Sequence, residues 1–184
     1  EEAWPKGWKV EEGVLSRFEG GGDLMTVTKF KDFELQLQWK VSKVGNSGIM
    51  YRVRTGDDAP YFSGPEFQIL DNKRHNDGKS DLTSAGALYG LYAPEKDWTK
   101  PVGEWNKARI VVRGNHVRHW LNSHNTVNCK IGSDDWNERI AKSKFKDWKQ
   151  FAKSPEGHIV LQDHGDLVWY RKVRVRTLSD KTDK

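Results

Sequence analysis

At 184 residues and 21.2 kDa the chain is long enough for one domain that buries about 70% of its unfolded surface, so no second domain is needed. Its 31 basic and 26 acidic residues leave a net charge of +5, but the signs are interleaved and no RNA- or DNA-reading motif is present, which argues against a nucleic-acid partner. The single cysteine, Cys129, excludes an internal disulfide and a cysteine zinc cluster, and no apolar stretch is long enough to span a membrane.

Taken in order, the chain reads as many short strands separated by turns. Glu1 to Trp8 do not resemble a signal peptide, so either the protein is cytoplasmic or a leader has been removed. Lys9 to Phe18 suits short strands around glycine turns, and Gly20-Gly21-Gly22 marks the next turn. Asp23 to Thr28 follows. Phe33 to Val41 then alternates strictly, with Phe33, Leu35, Leu37, Trp39 and Val41 on one face and Glu34, Gln36, Gln38 and Lys40 on the other. Gly45-Asn46-Ser47-Gly48 has the chemistry of a turn leading into a strand from Ile49 to Arg54, where Met50, Arg52 and Arg54 share a face.

The strand Glu66 to Leu70 carries polar side chains without a structural need: Glu66 and Gln68 share one face with Leu70, and Phe67 and Ile69 the other. Asp71 opens a polar loop containing His75. Gly86 to Tyr92 reads as a short strand, Pro94 to Gly103 as a loop, and Glu104 to Val112 with Val117 to Leu121 as a hairpin around Gly114-Asn115. Ser133 caps the one clear helix, in which Trp136, Ile140, Lys144, Trp148 and Phe151 recur until Pro155. His158 to His164 and Leu167 to Val175 close the chain as strands, leaving a polar tail from 177 to 184. The expected architecture is all-β, a β-sandwich of two antiparallel sheets with one late helix, in a single domain whose core spans about residues 9–176.

Arg52, Glu66 with Gln68, and Gln162 with His164 converge if their faces belong to one sheet. Together they supply groups that read hydroxyls and move protons. Against this stand plain structural roles: a cross-strand ion pair for Arg52 and Glu66, and a turn position for His164 beside Gly165. Asp71 and His75 are weak metal-ligand candidates, since their spacing matches no metal motif. There is no nucleophile elbow and no phosphate loop.

Seven segments occur in order: Asn46-Ser47-Gly48-Ile49-Met50-Tyr51-Arg52, Pro65 to Asp71, Gly86-Ala87-Leu88-Tyr89, Gly103-Glu104-Trp105-Asn106, His119-Trp120-Leu121-Asn122, Ser143-Lys144-Phe145 and Ile159 to Gly165. Together they resemble the 3-keto-disaccharide hydrolase family, once catalogued as DUF1080, from about Gly20 to Arg176. The resemblance implies a concanavalin-like jelly roll whose concave sheet binds carbohydrate, and a periplasmic or secreted setting. The family usually closes a turn with Asn-Gly where this chain has Asn122-Ser123, a local departure.

The activity implied is cleavage of 3-keto-glycosides. A C3 carbonyl acidifies the C2 hydrogen, so one base suffices, whereas ordinary glycosidases need two carboxylates about 5 to 9.5 Å apart. Glu66 and Asp71 are a poor pair for that, lying on opposite faces of their strand. On this reading Glu66 or His164 is the base, Arg52 stabilises the enolate, and Gln68, Tyr89, Gln162 and Trp105 contact substrate. No cofactor is required, though a divalent metal can replace Arg52 as electrophile. The alternatives are a non-catalytic carbohydrate-binding module on the same sandwich, and a structural domain with solvated polar strands.

Overall fold

The computed structural model describes residues 5–57 and 59–179, in which eleven strands and one α-helix form two antiparallel sheets. The seven-stranded sheet runs β1 (Trp8–Glu11), β2 (Val14–Arg17), β11 (Val168–Thr177), β4 (Phe33–Val41), β7 (Asn106–Arg113), β8 (His116–Leu121), β9 (His124–Lys130). The four-stranded sheet runs β3 (Leu24–Met25), β10 (His158–Leu161), β5 (Asn46–Val53), β6 (Glu66–Leu70). Thr177 ends β11, and residues 180–184 of the expected tail lie outside the described residues. No helix among the described residues is long and apolar enough to cross a membrane.

Strand alternation explains why these sheets face each other. The apolar face of β4 meets Ile49 and Tyr51 of β5 and Phe67 and Ile69 of β6 in one buried cluster, the arrangement that removes most apolar area from water. Tyr51 and the fully buried His119 of β8 join the two sheets through a hydrogen bond of 3.0 Å between the hydroxyl and Nε2. Burial pushes the His119 imidazole down to about 3, so it is neutral and structural.

Four local expectations are corrected. Asn46 to Gly48 belong to β5, pairing with Leu70 to Gln68, and the turn sits earlier, where Gly45 N–H donates to Ser42. Gly86 to Tyr92 is a loop that meets β6 through an isolated Phe67–Leu88 bridge and a hydrogen bond from Gly86 N–H to the Gln68 carbonyl, because Gly86 and Gly90 turn the backbone with positive φ. The helix α1 (Asp134–Ala141) is capped by Ser133 as expected but ends early. Ser143 stops it: its hydroxyl donates to Ile140 and accepts from Phe145 N–H, opening a separate 3₁₀ turn, Lys144–Asp147.

The fourth is β9, absent from the sequence reading, whose register shift is bridged by Asn125 donating to the carbonyls of His119 and Val127. The departure at Asn122-Ser123 keeps a two-residue turn, since both residues adopt positive φ, 48° and 73°. Asparagine and serine thus fill the positions where type I′ turns favour Asn-Gly.

Candidate active site

The four-stranded sheet carries a cavity of about 350 Å³ on the face away from the core. β6 sends Glu66 and Gln68 into it, as alternation requires. β5 adds Asn46, and the segment after β10 adds Gln162 and His164. The remaining walls come from loops: Tyr61 in the turn Pro60–Phe62, Asp77 in the turn Asn76–Lys79, Tyr89, and Lys144 with Trp148 beyond α1.

Glu66 is central. Its carboxyl lies across Gly48 on the neighbouring strand, where a Cβ would stand 1.9 Å from Glu66 Oε1. Glycine is therefore required for space rather than for its φ. Gln68, oriented so that both ends of its amide are satisfied, donates to Glu66 Oε1 and to the Ser47 carbonyl, each at 3.1 Å. Burial pushes the Glu66 carboxyl up to about 8; Lys144 opposes this, while Asp23 and Asp77 reinforce it. The Gln68 hydrogen bond favours the ionised form and offsets part of the burial. A carboxyl poised near neutrality accepts and returns protons efficiently.

The other groups divide into cations, anions and hydroxyl readers. The Lys144 ammonium sits 4.4 Å from the Tyr89 ring centre and 5.3 Å from that of Trp148. Burial lowers its pKa and Glu66 and Asp77 pull it back up. Tyr89 donates to Asp77 at 3.3 Å, and burial, Asp77 and Glu66 push its phenol up to about 12, so it stays protonated. Gln162 is part of the cavity lining, and its Oε1 is buried without a partner. At the rim, the half-exposed His164 is 3.4 Å from Asn46 Nδ2.

Five expected site residues, Glu66, Gln68, Tyr89, Gln162 and His164, therefore share one cavity. Arg52, Trp105 and the pair Asp71 and His75 do not line it. At Arg52 the strand breaks its alternation with φ 55°, opposite a register shift in β10, and the guanidinium turns away to the carbonyls of Gly114 at 2.5 Å and Lys31 at 3.4 Å. It ties the four-stranded sheet to the β7–β8 turn of the other. Trp105 lies by the seven-stranded sheet under Arg171, 4.1 Å from ring centre to guanidinium carbon. Asp71 is spent on the backbone N–H groups of Val44 and Lys73 and on Arg74. His75 Nδ1 accepts from Asp77 N–H to cap a turn, and no group of three or more His, Cys, Asp or Glu among the described residues is placed to hold a metal.

Lys144, Asp77, Asn46, Tyr61 and Trp148 were missed as site residues. The signal for Lys144 was Ser143: a second capping residue ten positions after Ser133 marks a new turn rather than a continuing helix.

Residues 1–176 match the family model of the 3-keto-alpha-glucoside-1,2-lyase-like domain. The chain belongs to that family. A 3-keto-disaccharide hydrolase of Bacteroides thetaiotaomicron is 37% identical over 95% of this chain and 71% of its own length. The family member is thus a glycoside hydrolase-like, carbohydrate-active enzyme. A crystal structure from Parabacteroides distasonis, assigned to the glycosyl hydrolases, superposes with a TM-score of 0.87 at 33% identity, covering 95% of this chain and 84% of that one. A Bacillus subtilis protein of galectin-like fold, 12% identical, reaches 0.58 over 93% of this chain and 86% of that one, which speaks to the sandwich alone.

Proposed function

We propose that this enzyme cleaves the glycosidic bond of 3-keto-glycosides by elimination across C1 and C2, followed by addition of water. The observation that carries the reading is the Glu66 carboxyl, held near neutrality beside a cation in a cavity whose other walls are amides, phenols, aromatic rings, His164 and the Asp77 carboxylate. Glu66 takes the C2 proton; the electron pair flows into the C3 carbonyl, and the enolate oxygen is stabilised by Lys144. As the enolate collapses toward C1, the C1–O bond breaks and the aglycone leaves, protonated from the rim by His164. Water then adds to C1, giving up a proton to His164, and Glu66 returns a proton to C2, so that both groups are restored and a free 3-keto sugar is released. Gln68, Gln162 and Asn46 read hydroxyls, and Tyr61 and Trp148 offer ring faces to the sugar.

The test compares product formation from a 3-keto-glucoside and from its unoxidised parent, each with and without a chelator. The proposal expects cleavage of the keto substrate alone, undiminished by the chelator. Loss on chelation would give the role of Lys144 to a divalent ion. A second reading has one specific support: Asp77 lines the same cavity as Glu66, so two carboxylates are present for ordinary hydrolysis. Cleavage of the parent sugar would favour it.

Two substitutions separate machinery from scaffold. Gly48→Ala forces the Glu66 side chain aside, and a displacement of about 1 Å costs about a hundredfold in kcat while the melting temperature changes little, since the group moved is the end of a flexible side chain. Arg52→Met does the opposite: it removes the charge-assisted hydrogen bonds from the buried guanidinium to the Lys31 and Gly114 carbonyls, lowers stability by about 1.5–3 kcal/mol, and leaves kcat of the folded enzyme unchanged. Paired thermal melts and steady-state kinetics check both.

A further inference from the structure

The outward face of the seven-stranded sheet holds a second and larger trough, about 520 Å³, remote from Glu66 and unused by the chemistry above. Four of its lining residues are cations, Lys107, Arg109, Lys172 and Arg174, and none is a carboxylate. The nearby Glu34, held down to about 2 because the hydrogen bonds from Arg109, Gln36 and Arg176 outweigh its burial, satisfies Arg109 and Arg176 only. Lys107, Lys172 and Arg174 pair with no carboxylate among the described residues.

The trough opens where β11 slips against β4. The ladder pairs Arg171 with Gln38 and then Arg174 with Gln36, so two residues of β11 stand opposite Leu37 alone. Lys172 takes φ 53° to make this bulge, in the left-handed region that a lysine rarely occupies. A bulge within a sheet re-aims side chains, and here it brings Lys172 and Arg174 to one cavity. Gln38 Oε1 accepts from Arg171 Nε at 2.8 Å, which leaves its amide N–H groups for a ligand.

We propose that this trough binds an anionic polysaccharide, a chain bearing carboxylate or sulfate groups, at a site separate from the active site. Charge complementarity selects the anion. The aromatic ring in its lining selects against single-stranded nucleic acid: Trp120 is covered by Arg109, with its guanidinium carbon 4.3 Å from the ring centre, so that face is occupied where a stacked base would need it. Amides beside guanidinium groups suit hydroxyls and carboxylates instead.

Titration calorimetry of the whole protein with alginate, dextran and duplex DNA tests this. Alginate should bind with an affinity that falls about 10–100-fold between 50 and 200 mM salt, the range for three or four released counterions, while dextran, which carries no charge, should not bind this face. Lys172→Ala with Arg174→Ala should weaken alginate at least tenfold and leave glycoside turnover unchanged. Lys107→Glu, on β7 and away from the bulge, serves as an independent variant if the first pair unfolds. The proposal is overturned if alginate affinity survives both variants, if Glu66→Gln abolishes it, or if DNA binds as tightly as alginate.

Discussion

Glu66→Gln will lower kcat by about a thousandfold, the span expected for a lost general base, and will at the same time raise the melting temperature at alkaline pH. The two effects share one cause. The Glu66 carboxyl releases its proton at about 8 in the fold but near its ordinary value of 4.5 in the unfolded chain. Between those values the folded state holds more protons, so stability falls as pH rises through that window and stays low above it. Each unit of displacement corresponds to about 1.4 kcal/mol, so the ionised group costs on the order of a few kcal/mol after the Gln68 hydrogen bond is counted. Glutamine fits the same space without that charge. Wild type and variant should melt together near pH 4, and the variant should be higher by roughly 3–8 °C at pH 9. Thermal melts across pH check the stability half. Equal melting temperatures at both ends of the range would mean that Glu66 is not held near neutrality, and its casting as the base would lose its main support.

Lys144→Met carries the second largest effect. Losing the electrophile should cost about 10²–10³-fold in kcat. Lys144 also lowers the Glu66 pKa, working against burial. Without it the carboxyl holds its proton more tightly, so the rising limb of the pH–rate profile should move to higher pH. A loop residue of merely structural importance would lower the rate without moving the limb. Rate profiles of the variant and of Lys144→Arg, which keeps the charge, distinguish the two, and an unmoved limb in the methionine variant would remove Lys144 from the chemistry.

The core of this site was legible in the sequence wherever strand periodicity alone decides direction. Glu66 and Gln68 alternate with Phe67 and Ile69, so their exposure on one face follows from the pleat. Arg52 defeated the same rule because a positive φ and a shift in the β10 register turn the chain at that residue. Lys144 was hidden by its own neighbours. Its spacing from Trp136 and Ile140 fits a helix, and only the competition between Ser143 and the helix backbone ends that helix at Ala141. Asp77 reaches the cavity from a turn capped by His75, a loop geometry that no period announces. β9 was missed because Val127 and Cys129 give it only two apolar positions. The sandwich itself was readable from β4, whose nine residues place a complete apolar face on the core.

The most direct measurement follows the C2 hydrogen. A 3-keto-glucoside is hydrolysed in heavy water, and the released sugar is examined by NMR for deuterium at C2, against a control without enzyme that measures spontaneous exchange. Elimination and readdition carry solvent-derived deuterium to C2 above the control wherever the proton on Glu66 exchanges before its return, and breaking the C2–H bond slows turnover of a substrate deuterated at C2; Glu66→Gln removes both the label and the product together. Product that retains its original C2 hydrogen, together with equal turnover of the C2-deuterated and ordinary substrates, would contradict the account and favour direct displacement at C1.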